Sequence, residues 1–485
     1  MFVGTGSDVG KSVINAAFCR IFLQDGYRPA PFKAQNMSLN SYATPDGLEI
    51  GRAQAVQAEA CGIECSVDMN PILLKPTSYL NSQVVLKGKP IGNKSASAYF
   101  VNTDRNELFG KAMDSFHKLA ESYNPIVIEG AGSISEMNLW KYDITNMRVA
   151  LEVNAPTYLI ADIDKGGIFA SVYGTIQLLP KTERELIKGI IINKFRGDIN
   201  LFTEGKKILE EITGIPVVGI IPYFNDIYIE QEDSVILDKR QKNTSNGKVN
   251  IAFVLLRHMS NFTDFNHLEL IPEVNAYYAE NVDDLNKADI IIIPGSKNTI
   301  SDMIYLRNSG MAKGIIEAHK KGKAVYGICG GFQIMGQEIQ DPHHVEGDIE
   351  TIPGLGILPV TTTLTDEKVT EQSTFTFLNN TELCKGYEIH MGETISTKIS
   401  PLCTINGKKN DGYYLNAKTW GTYIHGIFDN QVVVNTILKE NGFTNINAAL
   451  DYKAFKEEQY VKLANLIREN VNLGYIYSTM QIMPK

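Results

Sequence analysis

The stretch GTGSDVGKS at residues 4–12 is rich in glycine and is followed by the helical pattern Val13–Leu23. In such a loop, backbone N–H groups and the N-terminus of the next helix form a cradle for anions. The Lys11 ammonium can reach the terminal phosphates of a nucleotide, and the Ser12 hydroxyl can ligate Mg²⁺. The spacing is a variant of the strict phosphate-loop pattern, because Thr5 stands where that pattern has glycine. The nucleotide contacts predicted in this loop are Gly6, Gly10, Lys11 and Ser12.

Short runs rich in Ile and Val recur along the chain and alternate with longer helical patterns. Gly, Pro, Asn or Asp bounds each run, which is typical of parallel strands covered by helices on both faces. The runs are residues 126–128, 157–161, 189–192, 217–220, 251–255, 290–293 and 324–328. This alternation predicts an α/β protein whose domains have three layers and mostly parallel sheets.

Polar side chains follow three of these runs, where each predicted strand ends: Glu129, Asp162 and Asn193. Because the carboxyl ends of parallel strands meet at one edge of a sheet, we expect these side chains near the phosphate loop. Carboxylates there suit Mg²⁺, so the predicted metal ligands are Ser12, Glu129 and Asp162. The amide of Asn193 is predicted to contact the base or ribose of a nucleotide. Each acid could instead cap the helix that follows it.

The composition is that of an ordinary globular protein, and it excludes several classes. The chain has 485 residues, of which 44% are hydrophobic, so it can bury a large core without structural metals. A net charge of −9 disfavours a general nucleic-acid binder. No apolar run approaches the length of about 18 residues that a membrane span needs. The 6 cysteines are scattered, with only Cys61 and Cys65 close together, which suits a reducing cytoplasm and not a zinc site.

A polar segment, DKRQKNTSNGK at residues 238–248, has no apolar anchor and is followed at once by a strand pattern. Such a segment is typical of a domain boundary, although a long surface loop would look similar. We predict an N-terminal domain over residues 1–238, a second domain over 249–440 and a C-terminal helical tail over 441–485. In the tail, Asp451 is expected to cap an amphipathic helix.

Cys329 lies in AVYGICGGFQ, a pattern of strand, tight turn and helix at residues 324–333. Cysteine between glycines at such a turn is typical of a nucleophile elbow, because glycine permits strained backbone and close approach. The helix N-terminus stabilises a thiolate, and the Gly330 backbone N–H can donate to an oxyanion. The strand end IIPGSKNT at residues 292–299 could supply the second oxyanion N–H, from Gly295 or Ser296.

An elbow thiol needs a base, and two histidines compete for that role. His425 follows an apolar run and precedes glycine, which places it at a strand end, whereas its rival His390 lies in GYEIHMGE at residues 386–393. We favour His425. The carboxylate that would orient it is left open, with the following candidates: Glu388, Glu393 and Asp429.

Several of these motifs resemble known families. The variant loop, the turn EGAG at residues 129–132 and Asn193 resemble the dethiobiotin synthetase-type branch of P-loop proteins. The segments PFKAQNMSLNSY at residues 31–42 and MNPILLKP at 69–76 closely resemble the cobyric acid synthase family. The cysteine elbow, the upstream Pro-Gly turn and the late histidine resemble a class I glutamine amidotransferase domain, although Ile427 stands where ordinary members carry glutamate.

The resemblance implies an enzyme, a glutamine-hydrolysing carbon-nitrogen ligase with two sites. Cys329 and His425 would release ammonia from L-glutamine, while ATP and Mg²⁺ would activate carboxylates of a corrinoid in the N-terminal domain. It implies amidation of the b, d, e and g side chains of adenosylcobyrinic acid a,c-diamide, in cobalamin biosynthesis. It also implies corrinoid contacts at Gln35, Asn36, Asn40, Ser41, Tyr42 and Lys75. No oligomeric state follows from it.

Two alternatives remain at this stage. A cobyrinic acid a,c-diamide synthase would have the same domain order and chemistry, although the segment at residues 35–42 argues against it. A P-loop switch ATPase with a degenerate amidotransferase domain would act by binding a partner, and the intact pair of Cys329 and His425 disfavours it.

Overall fold

A computed structural model of the protein describes residues 1–77, 81–95, 99, 104–230, 248–446 and 450–480. The polar segment predicted as a domain boundary, residues 238–248, lies outside these ranges except for its last residue. Within the described residues, no helix has the length and apolar character that crossing a bilayer requires.

The N-terminal half alternates strands with helices, as the apolar runs predict. Its strands are β1 (Phe2–Gly4), β2 (Ala30–Phe32), β3 (Gln35–Met37), β4 (Ser41–Ala43), β5 (Glu49–Gly51), β6 (Ile72–Pro76), β7 (Asn81–Leu86), β8 (Lys89–Ser95), β9 (Ile126–Ile128), β10 (Thr157–Asp162), β11 (Ile187–Phe195) and β12 (Val217–Pro222). Its helices are α1 (Lys11–Gln24), α2 (Arg52–Ala60), α3 (Arg105–Ala120), α4 (Met147–Glu152), α5 (Ile168–Leu178), α6 (Lys181–Arg184) and α7 (Thr203–Thr213).

The main sheet of this half is parallel. Strands β1, β10, β11 and β12 pair in that order, β2 pairs with β9, and a bridge between Phe2 and Glu129 joins the two groups. Side chains alternate between its faces. Along β10, Tyr158 and Ile160 belong to the apolar cluster that includes α1, while Leu159 belongs to the cluster that includes α3 and α5. The sheet is thus covered on both faces, which is why its strands are continuously apolar.

The second half has its own parallel sheet and a long antiparallel ribbon. Its strands are β13 (Val249–Val254), β14 (Met259–Ser260), β15 (Val274–Ala279), β16 (Ile290–Ile293), β17 (Gly295–Ser296), β18 (Ala324–Ile328), β19 (Glu338–Gln340), β20 (Thr351–Pro353), β21 (Val360–Phe377), β22 (Cys384–Ser396), β23 (Cys403–Ile405), β24 (Lys409–Asp411), β25 (Tyr413–Asn416), β26 (Thr419–Thr422) and β27 (Ile424–His425). Its helices are α8 (Asn266–Glu269), α9 (Val282–Lys287), α10 (Thr299–Asn308), α11 (Met311–Lys320), α12 (Gly330–Met335) and α13 (Gln431–Glu440).

In this half, the main sheet has the order β15-β13-β16-β18-β26-β25, and only its β26–β25 pair is antiparallel. The ribbon of β21 and β22 extends from a second sheet that also contains β19, β20 and β27. The strand end that carries Cys329 and the short strand that carries His425 therefore belong to adjoining sheets.

Each predicted strand is present, with ends shifted by a few residues, and the α/β fold class is confirmed. The predicted 189–192 run extends to Ile187–Phe195 because residues on both sides of it continue the parallel register with β10 and β12. The apolar pattern does not show this extension, because the polar residues Lys188, Asn193 and Lys194 interrupt it.

The C-terminal tail forms α14 (Tyr452–Asn470) and α15 (Leu473–Thr479), which pack on the N-terminal half. Asp451 caps α14 by accepting a hydrogen bond from Ala454 N at 3.0 Å, as expected. Leu463 and Ile467 are buried in the same cluster as α1. The tail therefore completes one face of the first sheet after the chain has passed through the second half.

Candidate active site

The predicted phosphate loop connects β1 to α1 at the carboxyl edge of the first sheet. Gly10 has φ of +99°, and a Cβ added there would lie 2.2 Å from Nδ2 of Asn193. That amide donates to the carbonyl oxygen of Val9 at 2.8 Å. The structure thus brings Asn193, at the end of β11, onto the loop, and glycine at position 10 is required by both backbone angle and space.

The Lys11 ammonium lies between the loop and the turn that follows β9. It donates to the carbonyl oxygen of Gly6 at 2.8 Å and to that of Gly132 at 2.9 Å, and the residue is 7% exposed. The loop and the EGAG turn, which the sequence places far apart, therefore meet around one positive charge. A lysine at this point of a phosphate loop is placed to reach the terminal phosphates of a nucleoside triphosphate.

Glu129, at the end of β9, is the most enclosed acid of this site. Its Oε1 accepts hydrogen bonds from Ser12 Oγ at 2.7 Å and Lys33 Nζ at 2.8 Å, and its Oε2 accepts from Gln57 Nε2 at 2.6 Å. Burial opposes ionisation of this carboxyl, but Lys33 and the hydrogen bonds outweigh burial and lower the pKa of Glu129. An ionised carboxylate beside a serine hydroxyl at a phosphate loop is a donor set that fits Mg²⁺.

Asp162, the third predicted metal ligand, has other partners. Its Oδ2 lies 2.8 Å from Lys194 Nζ, and its Oδ1 accepts from the backbone N–H of Asp164 at 2.9 Å. Lys194 also donates to the carbonyl oxygen of Asp8 in the phosphate loop at 2.6 Å. The structure therefore ties Asp162 to the loop through a lysine, and no bond among the described residues joins it to Ser12 or Glu129.

In the second half, Cys329 forms the predicted elbow between β18 and α12. Its φ of +49° and ψ of −109° are strained for a side chain with Cβ, and the residue is 6% exposed. The flanking glycines allow close approach of neighbouring backbone. A Cβ on Gly331 would lie 2.0 Å from the carbonyl oxygen of Ile293, and a Cβ on Gly330 would also meet backbone. The glycines are thus explained by packing that holds the thiol in place.

His425 contacts Cys329 on one side and an unexpected carboxylate on the other. Its Nδ1 lies 2.7 Å from Oδ2 of Asp264, whose Oδ1 accepts from the backbone N–H of Gly426 at 2.9 Å. Burial lowers the pKa of His425, but Asp264 and Cys329, which also hydrogen-bonds the ring, outweigh burial and raise that pKa to about 10. The buried thiol, imidazole and carboxylate are thus arranged as a nucleophile, a base and an orienting acid would need to be.

The other candidates for these roles lie elsewhere. Glu388 accepts hydrogen bonds from Lys409 at 3.0 Å, Glu393 is exposed on β22, and Asp429 has no hydrogen bond to the base. His390 lines the same cavity as the thiol but its Nδ1 lies 2.9 Å from the carbonyl oxygen of Gly392. The orienting carboxylate therefore comes from the turn before α8, which the sequence interpretation did not consider.

The predicted oxyanion donors are close together, and the pairing of β14 with β17 separates their roles. Lys297 N donates to the carbonyl oxygen of His258 at 2.8 Å. Because donors alternate along antiparallel strands, the N–H of Gly295 faces β14 and that of Ser296 faces away from it. A Cβ on Gly330 would lie 2.6 Å from the backbone nitrogen of Ser296. The geometry therefore supports Ser296 and Gly330 as the donor pair.

The residues predicted to bind a corrinoid divide into two groups. The first group stays within the N-terminal half. Gln35 accepts a hydrogen bond from the hydroxyl of Tyr99 at 2.5 Å, and Asn36 donates to Oε1 of Gln54 at 3.1 Å. Met37, between this group and the next, is 51% exposed.

The second group contacts the other half, close to the base. Ser41 N donates to Oδ1 of Asn261 at 2.9 Å, and Phe262 N donates to Oδ1 of Asn40 at 3.1 Å. These bonds hold the start of the 3₁₀ turn Phe262–Phe265, which carries the orienting acid. The N-terminal half thus directly supports part of the second site.

Tyr42 and Lys75 complete this contact. The ring of Tyr42 lies 4.7 Å from that of Tyr387, which in turn stacks on His425 at 5.3 Å between centroids. Lys75 Nζ lies 2.6 Å from Oε1 of Glu49 and lines the cavity beside the thiol. We find both at the junction of the two halves, where the sequence interpretation expected a corrinoid site.

Comparison with known proteins agrees with this arrangement. The family described as "CobQ/CobB/MinD/ParA nucleotide binding domain" matches residues 1–235, and "CobB/CobQ-like glutamine amidotransferase domain" matches residues 250–433. A protein of Parabacteroides distasonis named cobyric acid synthase is 58% identical over 99% of this chain and 98% of its own length. Proteins of the same name from Bacteroides fragilis and Thermoanaerobacter sp. are 57% and 45% identical, each over 99% of this chain and 98% of their own length.

The chain belongs to the cobyric acid synthase family. The resemblance drawn from residues 31–42 and 69–76 is thereby confirmed, as is the order of a nucleotide-binding domain and a glutamine amidotransferase domain.

Sequence reasoning missed two residues of these sites. Lys33 contacts Glu129 because each residue directly follows one of two parallel neighbouring strands, β2 and β9. The position of a lysine directly after a short strand could have indicated this contact. Asp264 lies in a short turn with no periodic pattern, and only the fold brings it to His425.

Proposed function

We propose that this member of the cobyric acid synthase family hydrolyses glutamine and uses the ammonia, with ATP, to amidate carboxylates of a corrinoid. The observation that carries the proposal is the presence, in one chain, of a Cys329–His425–Asp264 arrangement and a phosphate loop joined to Glu129. The Cys329–His425–Asp264 arrangement supplies nitrogen as ammonia, and the phosphate loop with Glu129 activates a carboxylate of the corrinoid. A switch ATPase with a degenerate second domain would have no need of the buried acid on His425.

In the second half, the geometry supports the following steps. Cys329 Sγ attacks the side-chain amide carbon of glutamine as a thiolate, while the adjacent His425 ring already carries the proton. The N–H groups of Ser296 and Gly330 stabilise the oxyanion that forms. His425 then gives its proton to the leaving nitrogen, which departs as ammonia, and water hydrolyses the thioester to release glutamate. Asp264 keeps the ring oriented and stabilises its positive charge.

In the N-terminal half, a corrinoid carboxylate is phosphorylated by ATP, because a free carboxylate is a poor electrophile at neutral pH. Ammonia then attacks the acyl phosphate, and phosphate leaves. Lys11 holds the terminal phosphates, and Glu129 with Ser12 would hold Mg²⁺, which offsets the charge of the transferred group. Lys33 keeps Glu129 ionised, and Asp162 would act through Lys194 or water.

The proposed substrate is adenosylcobyrinic acid a,c-diamide, amidated at its b, d, e and g side chains. The support is the full-length similarity to proteins named cobyric acid synthase, together with the Gln- and Asn-rich segment at residues 35–42. A cytoplasmic setting belongs to the proposal and is supported by six cysteines, Cys19, Cys61, Cys65, Cys329, Cys384 and Cys403, which are all free and buried.

Mass spectrometry of the corrinoid after incubation with ATP, Mg²⁺ and glutamine tests the proposal. Each amidation replaces OH by NH₂ and lowers the mass by the same small step. We expect four steps from the a,c-diamide. Mass steps that begin from the unamidated acid and stop at the a,c-diamide would instead identify a cobyrinic acid a,c-diamide synthase. The absence of any mass step would refute the proposal.

A further inference from the structure

The cavity beside Cys329 is lined by both halves of the molecule and is rich in ammonium groups. Lys297 and Lys368 come from the second half, and Lys75 comes from the N-terminal half. The side chains of Lys75 and Lys368 are 4% and 8% exposed. Three lysines around one small enclosed space need compensating negative charge.

One carboxylate, Glu49, compensates two of these lysines. Its Oε1 lies 2.6 Å from Lys75 Nζ, its Oε2 contacts Lys368 Nζ, and its side chain is fully buried. Among the described residues, no carboxylate lies within 4 Å of the Lys297 ammonium. Burial lowers the pKa of Lys297, and lowers that of Lys368 to about 8, as expected where positive charge is in excess. The cavity therefore has a surplus of positive charge that a bound anion would neutralise.

Lys75 is placed to contribute to binding that anion. Two of its three N–H donors are used, by Ser41 Oγ at 2.9 Å and by Glu49. The third is left on a side chain that lines the cavity. Glu49 and Ser41 also fix the position of the ammonium, so little side-chain entropy is lost when an anion binds.

The same cavity offers a partner for a cation. Glu346 lines it, accepts a hydrogen bond from Ile300 N at 3.0 Å, and has no lysine or arginine within 4 Å among the described residues. Burial raises its pKa to about 7. A cavity with a carboxyl that no cationic side chain contacts directly and a surplus of ammonium groups, beside a thiol, matches a free amino acid whose side chain reaches the thiol.

We propose that Lys75, from the N-terminal half, acts with Lys297 to bind the α-carboxylate of glutamine. Glu49 is a positioning residue that holds Lys75 and Lys368 in the junction. The glutamine pocket is then complete only when the two halves are packed together. This inference rests on the proposed glutaminase activity, and it reassigns Lys75, which the sequence interpretation placed at the corrinoid.

The test compares glutaminase kinetics of the full chain with Lys75→Met, using glutamine and its α-carboxamide, which lacks the negative charge. We expect Lys75→Met to raise the KM for glutamine about 10- to 100-fold, the value of a hydrogen-bonded charged contact, with a small change in kcat. The preference of the enzyme for glutamine over the α-carboxamide should fall by a similar factor. Lys297→Met should behave alike.

Lys456→Met is the matched control, because Lys456 is also a largely enclosed lysine paired with glutamate, at 2.8 Å from Glu59, but does not line the cavity. It should leave both KM and preference unchanged. Amidation supported by ammonium salts should persist in Lys75→Met, which also shows that the variant is folded.

Two results would overturn the inference alone. One is that the wild-type protein hydrolyses glutamine but Lys75→Met changes neither the KM for glutamine nor the preference for glutamine over its α-carboxamide. The other is a parallel loss of glutamine- and ammonium-supported amidation with a raised KM for the corrinoid, which would return Lys75 to the corrinoid site. If wild-type protein does not hydrolyse glutamine, the proposed function fails as well.

Discussion

The charge on His425 depends on two neighbouring groups. Burial lowers the pKa of His425, but Asp264, which contacts Nδ1 at 2.7 Å, and Cys329 together outweigh burial and raise that pKa to about 10. The imidazolium of the folded protein therefore loses its proton only as the pH rises through about 10. Without Asp264, only Cys329 would oppose the effect of burial, which favours the neutral ring, so the pKa of His425 would fall.

Asp264→Asn should therefore lower the kcat for glutamine hydrolysis by about 10³-fold, since the ring loses both orientation and charge stabilisation. The alkaline limb of the pH profile should also move to lower pH. Kinetics between pH 6 and 10 would show both effects. Asp429→Asn is the control, because burial raises the pKa of Asp429 to about 8 and the amide resembles the neutral acid. If the alkaline limb of the pH profile for glutamine hydrolysis lies at the same pH in Asp264→Asn as in the wild type, the proposed role of Asp264 is refuted.

Lys33 gives a second prediction at this scale. Its ammonium lies 2.8 Å from Glu129, and their side chains are 7% and 0% exposed. Lys33→Met should lower ammonium-supported amidation at least about 10²-fold, because Glu129 would be left with too little positive charge. Glutamine hydrolysis should be nearly unchanged. Lys118→Met, which removes an exposed lysine paired with Asp68, should affect neither activity. Equal effects of the two variants would show that Lys33 has no special role.

Among the structural elements, the strand–turn–helix around Cys329 depends most strictly on glycine. A Cβ on Gly331 would lie 2.0 Å from the carbonyl oxygen of Ile293, and neither backbone can move without shifting β16 or α12. The element was predictable because its signal is local: an apolar strand, a cysteine and two glycines in a row.

Gly331→Ala should thus destabilise the second half by at least 1–3 kcal/mol, about the cost of overpacking, and should abolish glutamine hydrolysis. Gly174→Ala is the matched control, because Gly174 lies within α5 with no atom near the added Cβ. It should be neutral or stabilise slightly. Thermal denaturation and glutaminase assays would compare the two, and an active, equally stable Gly331→Ala would contradict the packing account.

Other elements could not be predicted from the sequence. The apolar runs gave the central strands because both sheet faces are buried, but β3 and β4 are polar and short, and periodicity does not mark them. The bonds of Ser41, in β4, to Asn261 and of Asn40, just before β4, to Phe262 depend on how the two halves of the molecule meet. Asp264 was missed for the same reason: nothing in its own segment indicates His425 as a partner.

At the scale of the whole molecule, we propose that one half releases ammonia and the other activates a carboxylate, in sites that can be separated by substitution. The contacts of Asn40, Ser41 and Lys75 with the second half show that the two halves are packed together. We propose that the two sites nevertheless share no reacting residue, with Cys329 serving only glutamine and Lys11 serving only ATP.

The most direct test measures corrinoid amidation by mass spectrometry in Cys329→Ala and Lys11→Ala, each with glutamine and with ammonium salts at raised pH. We predict that Cys329→Ala loses amidation with glutamine and keeps it with ammonium. Lys11→Ala should lose at least about 10²-fold with either nitrogen source, while still hydrolysing glutamine. A folded Cys329→Ala that cannot amidate with ammonium would contradict the claim of separable sites.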